Sequence, residues 1–190
     1  MKFTQTAIPD VVIIEPTIHG DDRGYFVETF RQDKLEDFLG YKVSFFQDNE
    51  SKSNFGVLRG LHYQLPPHAQ SKLVRVIEGE VLDVAVDIRK GSPTFGQHVA
   101  VKLSGASKRQ VFIPRGFAHG FVVLSETCIF AYKVDNYYNT ESDRGIAFDD
   151  KELDIDWVIE PVNLQLSSKD RKQRNFAEAD YFNFEENLYA

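Results

Sequence analysis

Between Glu80 and Ile88 apolar side chains occupy every second position: Leu82, Val84, Val86 and Ile88 share one face, and Asp83 and Asp87 share the other. A period of two predicts a strand with one buried and one solvated face. Shorter runs of the same kind occur at residues 11–15, 25–30, 42–47, 56–64, 72–78, 97–103, 110–113, 120–124 and 128–134. Turn-forming residues separate them, among them Asp21-Asp22-Arg23-Gly24, Pro66-Pro67, Glu78-Gly79-Glu80, Gly91-Ser92-Pro93 and Pro114-Arg115-Gly116. Many short, evenly spaced strands predict an all-β sandwich or barrel. Helical signals are few and peripheral: residues 31–39, rich in charge and closed by Gly40, and a segment after Ser167-Ser168-Lys169-Asp170, which offers capping residues. With no repeat, low-complexity tract or linker, residues 1–190 read as one domain, and the last ten residues read as a loosely held tail.

Composition narrows this picture. At 190 residues and 42% hydrophobic, the chain is long enough for a real core and short of the roughly 250 residues at which chains usually divide. Its 16 Phe, against one Cys and one Met, suit an interior of strands. Cys128 has no partner for an intramolecular disulfide, and Met1-Lys2-Phe3-Thr4-Gln5-Thr6 is not the start of a secretion signal, so a cytoplasmic protein is expected. No stretch reaches the ~20 apolar residues of a membrane span. A net charge of -7 argues against a broad basic face for nucleic acid, and leaves room for a small phosphorylated ligand held by a local cluster of cations.

Such a cluster lies near residue 60. In an extended run from Leu58 to Gln64, the residues Leu58, Gly60, His62 and Gln64 share a face, with Gly60 clearing space beside His62. Histidine takes and returns a proton near neutrality, although a lone strand histidine is more often a hydrogen-bonded structural group. On the next strand Lys72, Val74 and Val76 share a face, which sets an ammonium against an apolar wall, where it can stabilise a developing oxyanion. The alternative for Lys72 is a solvated lysine guarding a sheet edge. Phe130, Tyr132 and Val134 alternate together, so Tyr132 is either a packed phenol or a proton donor. Asp170 either caps a helix or orients an imidazole. His119, within Pro114-Arg115-Gly116-Phe117-Ala118-His119-Gly120-Phe121, raises a metal reading. Metal-binding cupins carry His-x-His at the first motif, where this chain reads His62-Tyr63-Gln64; an amide is a poor transition-metal ligand, so His62 is left free to act as a base.

These segments together resemble the RmlC family of dTDP-4-dehydrorhamnose 3,5-epimerases. The likeness is carried by Asp22-Arg23-Gly24-Tyr25-Phe26-Val27-Glu28-Thr29-Phe30, Phe46-Gln47-Asp48-Asn49, Val57-Leu58-Arg59-Gly60-Leu61-His62-Tyr63-Gln64, Lys72-Leu73-Val74-Arg75, Asp83 to Arg89, Ser92 to Gly96, Ile113 to Phe121, and Tyr132-Lys133 with Asn136-Tyr137-Tyr138. The resemblance implies a cupin-type jelly-roll barrel with a few short peripheral helices and a metal-free epimerase without a redox cofactor. It implies His62 as general base oriented by Asp170, Tyr132 as general acid on the other face of the sugar, and Lys72 beside the C4 oxygen. Substrate contacts would come from Arg23, Phe26, Glu28, Gln47, Asn49, Arg59, His119, Tyr138, Asp143 and Lys169. A homodimer exchanging N-terminal strands is implied as well, so that part of the contact set belongs to the neighbouring subunit. The chain departs from the family's habit at Asp143, where glutamate is usual, and at Phe148, where tryptophan is common. Epimerisation at C3 alone or C5 alone, or sugar-nucleotide binding without catalysis, are the alternative functions.

Overall fold

The computed structural model of the chain describes residues 1–190. Along it come β1 (Lys2–Gln5), β2 (Val12–Glu15), β3 (Ile18–Asp21), β4 (Gly24–Val27), the helix α1 (Gln32–Leu39), β5 (Gln47–Asn54), β6 (Leu58–Gln64) and β7 (Lys72–Glu78). There follow β8 (Glu80–Asp87), β9 (Arg89–Lys90), β10 (His98–Ser104), β11 (Gln110–Ile113), β12 (Phe117–Val123), β13 (Thr127–Val134), β14 (Asp143–Gly145) and β15 (Phe182–Asn183). Six strands form one sheet in the order β1-β2-β11-β7-β13-β5, and five form a second in the order β10-β8-β12-β6-β14. Both are antiparallel throughout. Neighbours distant in sequence alternate across two facing sheets, which is the cupin-type jelly roll. No helix is long and apolar enough to cross a membrane.

Three apolar layers hold the sheets. Val74, Val76, Val111 and Phe130 from the six-stranded sheet meet Val81, Ala85, Val99, Phe117, Phe121 and Val123 from the five-stranded one, filling the space between them. Behind the five-stranded sheet, Leu82, Val84, Val86 and Ile88 pack with Leu153, Trp157, Phe176 and Phe182 of the C-terminal segment. Behind the six-stranded sheet, Leu73, Val12, Ile14 and Phe112 are covered by Leu35 of α1 and by Val43.

The middle layer corrects the reading of β8. Its four alternating apolar residues do share a face, but the opposite face is interior rather than solvated, and Asp83 and Asp87 are 2% and 0% exposed. Residues 146–182 cover the apolar face of β8, so the carboxylates on its other face lie between the two sheets instead of in water. Asp87 is satisfied by Arg89, Ser92 and Thr94.

Strict alternation also fails in β6. His119 of β12 pairs with His62, but Phe121, two residues on, pairs with Arg59, three residues back, so β6 carries one extra residue. The bulge resets the faces: Leu58, Leu61 and Tyr63 point into the outer layer, while Arg59 and His62 line the same interior cavity. Gly60 does not clear space beside His62. It sits at φ +136°, and a Cβ there would stand 2.5 Å from the Gly120 Cα, so the two glycines allow β6 and β12 to touch backbone to backbone.

Other expectations shift at their edges. Of the expected run 42–47 only Gln47 joins a ladder; Tyr41, Val43 and Phe45 spend their alternation covering the outer face of the six-stranded sheet. Strand pairing in the run 25–30 stops at Val27, which leaves β3 and β4 as a hairpin apart from both sheets, with Phe26 70% exposed. The segment after Ser167 makes no α-helix, only the 3-10 turns Asp170–Lys172 and Phe176–Glu178. The C-terminal residues are tied down: Phe182 is buried, β15 pairs with β9, and Tyr189 bonds Ser71 Oγ at 2.6 Å while Arg115 donates to the Leu188 carbonyl at 2.6 Å.

The contact between Gly60 and Gly120 sets a stability prediction. Gly60→Ala combines an unfavourable φ with a backbone clash and is expected to destabilise the protein by at least about 2 kcal/mol in urea denaturation. Wild-type stability in that variant would contradict the close approach of β6 and β12.

Candidate active site

Two strands of one sheet and two of the other deliver the chemical groups. β6 and β12 set His62 and His119 side by side as register partners. In the facing sheet β7 and β13 pair Lys72 with Val134 and Val74 with Tyr132, so the ammonium and the phenol start from neighbouring strands. The imidazoles and the phenol therefore enter from opposite walls. All four groups line a cavity of about 390 Å³ together with Arg59, Asp170, Lys169, Phe121 and Phe130. That volume lies within the range of small-molecule sites, and Phe121 and Phe130 supply apolar surface within a mostly polar lining.

His62 bonds Asp170 with Nε2 to Oδ1 at 2.6 Å. An ionised carboxylate only accepts, so Nε2 carries the proton and Nδ1 is left as the ring's free acceptor. Burial alone would raise the Asp170 carboxyl, but hydrogen bonds from His62 and from Ser167 at 2.6 Å outweigh it and hold the group below the usual carboxylate range. Tyr132 is pushed up by burial, with Arg59 opposing, and so stays a neutral phenol with a proton to give. Burial pulls Lys72 down to about 8, while Asp83 and Asp143 push it back up and Lys169 lowers it further. Its Nζ donates to the His62 carbonyl at 3.3 Å. His119 is lowered, chiefly by burial, against the pull of its bond to Asp83.

A smaller hollow of about 130 Å³ shares His62, Lys72, Tyr132 and Lys169 with the main cavity and adds Tyr138 and Asp143. Short as it is, the Asp143 carboxylate pairs with Lys169 and accepts from the Tyr138 hydroxyl at 3.2 Å. Gln47 lies at this rim, donating to Asn49 at 2.8 Å and accepting from the Tyr138 amide at 3.4 Å. Arg59 is held by Ser53 at 3.1 and 3.2 Å.

Of the residues named from sequence, His62, Lys72, Tyr132, Asp170, Arg59, His119, Asn49 and Lys169 line the cavity, and Tyr138 and Asp143 adjoin it. Arg23, Phe26 and Glu28 do not reach it within this chain. Arg23 pairs with Asp21 at 2.5 Å, Phe26 projects from the hairpin, and Glu28 lies 3.7 Å from Arg31 and 3.8 Å from Lys34. Ser167, which bonds Asp170, and Asp83, which bonds His119, join the site without a motif of their own in the sequence. The available signal for Asp83 was a carboxylate inside an otherwise apolar strand.

No group of three or more His, Cys, Asp or Glu side chains is placed to hold a metal ion. A carboxylate-held imidazole, a phenol from the facing wall and an ammonium in one cavity define the class: a jelly-roll barrel whose site has the groups for proton transfer beside an anionic ligand. The family model described as dTDP-4-dehydrorhamnose 3,5-epimerase matches residues 5–178. The dTDP-4-dehydrorhamnose 3,5-epimerase of Shigella flexneri is 56% identical over 96% of this chain and 99% of that protein. Among solved structures, that of the dTDP-4-dehydrorhamnose 3,5-epimerase from Elizabethkingia anophelis superposes with a TM-score of 0.92 at 51% identity, covering 95% of this chain and 99% of that one. The RmlC structure from Legionella pneumophila in complex with dTDP-4-keto-L-rhamnose gives 0.93 at 49% identity, covering 97% and 99%. The chain belongs to the dTDP-4-dehydrorhamnose 3,5-epimerase family.

The depressed Lys72 ammonium is directly measurable. In a carbon-13 NMR titration of labelled lysine, one resonance lost on Lys72→Met is expected to titrate at about 8, apart from the remaining lysine resonances. A Lys72 signal titrating with the remaining set would contradict the burial of this group.

Proposed function

We propose that this isomerase inverts C3 and C5 of dTDP-4-dehydro-6-deoxy-D-glucose, giving dTDP-4-dehydro-L-rhamnose, with His62 as the base and Tyr132 as the acid. The observation that carries the reading is the entry of His62 and Tyr132 from opposite sheets into one cavity that also holds Lys72. Inversion needs a proton removed from one face of a carbon and another delivered to the opposite face. His62 Nδ1 takes the proton α to the ketone, and the electron pair of the broken C–H bond moves into an enolate whose charge rests on the C4 oxygen. The Lys72 ammonium stabilises that charge in a low-dielectric site. Tyr132 then delivers its hydroxyl proton to the carbon from the far side, and exchange with solvent returns a proton to the phenolate and removes one from His62. The same cycle at the second α-carbon completes the reaction. It moves only protons, and neither a metal nor a redox cofactor enters the scheme.

Arg59 and Lys169 supply positive charge for the diphosphate, and Tyr138, braced by Asp143, offers an aromatic face at the nucleotide end. Arg23, Phe26 and Glu28 serve the site of a second copy of the chain. The hairpin that carries Arg23 and Phe26 stands apart from both sheets with its apolar residues uncovered, which suits exchange with a partner in a cytoplasmic homodimer.

Incubation with the substrate in heavy water, read by proton NMR, tests the reaction. Deuterium is expected at both C3 and C5; label at one carbon alone would replace the reading with a single-position epimerase, and binding without exchange would leave a sugar-nucleotide-binding barrel. His62→Asn is expected to slow exchange at both carbons by about 10²- to 10⁴-fold with the affinity for dTDP retained.

Sedimentation equilibrium is expected to give twice the chain mass, and Phe26→Asp, on the exposed hairpin, is expected to return monomers. A monomeric wild-type protein would remove the strand-exchange reading.

A further inference from the structure

A second imidazole–carboxylate pair stands at the cavity wall, where His119 lines the space and Asp83 lies behind it. His119 Nε2 lies 2.8 Å from Asp83 Oδ2, and the two side chains are 7% and 2% exposed. Asp83 faces the interior from β8 between Val81 and Ala85, where an unpaired charge is costly. Its single hydrogen bond comes from a ring rather than from a guanidinium or an ammonium. Lys72 is its counterpart on the opposite sheet: an enclosed ammonium with one hydrogen bond, to a carbonyl, and no carboxylate in direct contact. Two groups of opposite charge, each with one hydrogen bond, thus stand on facing sheets with no direct bond between them. The separation matters, because a contact ion pair would occupy the ammonium that a ligand oxygen needs, whereas a nearby carboxylate favours the charge and leaves its donors free.

We propose that Asp83 is a positioning residue for this wall of the cavity, fixing His119 in one tautomer and acting as counter-charge to the Lys72 ammonium. By holding the Nε2 proton of His119, Asp83 leaves Nδ1 unprotonated, so the ring presents an acceptor suited to a sugar hydroxyl. The groups facing Lys72 from the elements around it are Asp83, Asp143, Lys169, His62, His119 and Tyr132. Burial lowers the lysine, and the two carboxylates oppose that, Asp83 the more strongly. Loss of the Asp83 charge therefore moves Lys72 lower, and the ammonium disappears as pH rises through a smaller value than in the parent protein. The inference rests on the epimerase reading for its consequence in catalysis and stands apart from it in its structural half.

The test joins a titration without substrate to a kinetic profile. In Asp83→Asn the Lys72 carbon-13 resonance is expected to titrate about one pH unit lower or more, and the alkaline limb of the proton-exchange rate to move down by the same amount. At pH 7.5 kcat is expected to fall about 10- to 100-fold, as for lost partners that orient a working imidazole, while dTDP binding changes by less than about threefold. Nitrogen-15 shifts of His119 in the wild-type protein are expected to report a protonated Nε2 and a bare Nδ1. An unmoved Lys72 titration and alkaline limb would overturn the counter-charge role. A protonated Nδ1 in the wild type would overturn the tautomer role, and that measurement decides even if the variant does not fold. Failure of wild-type protein to exchange substrate protons would overturn the epimerase reading while leaving both spectroscopic tests of Asp83 in force.

Discussion

A hydrogen bond of 2.6 Å joins His62, on the wall of the barrel, to Asp170, which arrives 108 residues later in the chain. The imidazole belongs to β6 and its partner to a short turn that lies against the barrel only because residues 146–182 pack across the five-stranded sheet. Ser167 braces the same carboxylate from within that turn. The tautomer of His62, and with it the position of the free ring nitrogen, is thus a consequence of how the C-terminal segment is docked. The apolar contacts of Trp157, Phe176 and Phe182 with the back of the sheet are part of the machinery although none of them lines the cavity.

The same covering segment changes what the interior contains. Because both faces of β8 are buried, its apolar set faces the outer layer, and the positions between supply Asp83 to the barrel interior. An aspartate so placed is tolerated because His119 donates to it. The bulge in β6 acts in a comparable way, since the extra residue places Arg59 and His62 on one side despite their spacing of three. The site is assembled where regular alternation is broken or where a polar residue occupies an inward position.

Burial also tunes the proton chemistry. Tyr132 is held protonated, Lys72 is brought toward neutrality, and Asp170 is kept ionised against its own desolvation. Each shift has the direction that the proposed role asks for: a phenol that keeps its proton until it is needed, a cation held beside the site of enolate charge, and a carboxylate that stays charged behind the imidazole. These directions arise from one low-dielectric cavity acting on groups of different chemical type.

Local pattern alone carried the all-β architecture, most strand positions, the helix at Gln32–Leu39 and the shared face of Lys72, Val74 and Val76, since period-two burial is a property of each strand by itself. Short motifs around His62, Lys72, His119 and Tyr132 pointed to proton chemistry for the same reason, each motif lying within one strand. Beyond reach were the inward position of Asp83, the bulge at Gly60, the unpaired run before Gln47 and the docked C-terminus, because each depends on what another part of the chain presses against it. Residue type and spacing specify which face a side chain takes along its own strand; whether that face meets water, a second sheet or a ligand cavity is settled only when distant segments pack, because burial is a property of the contact between them.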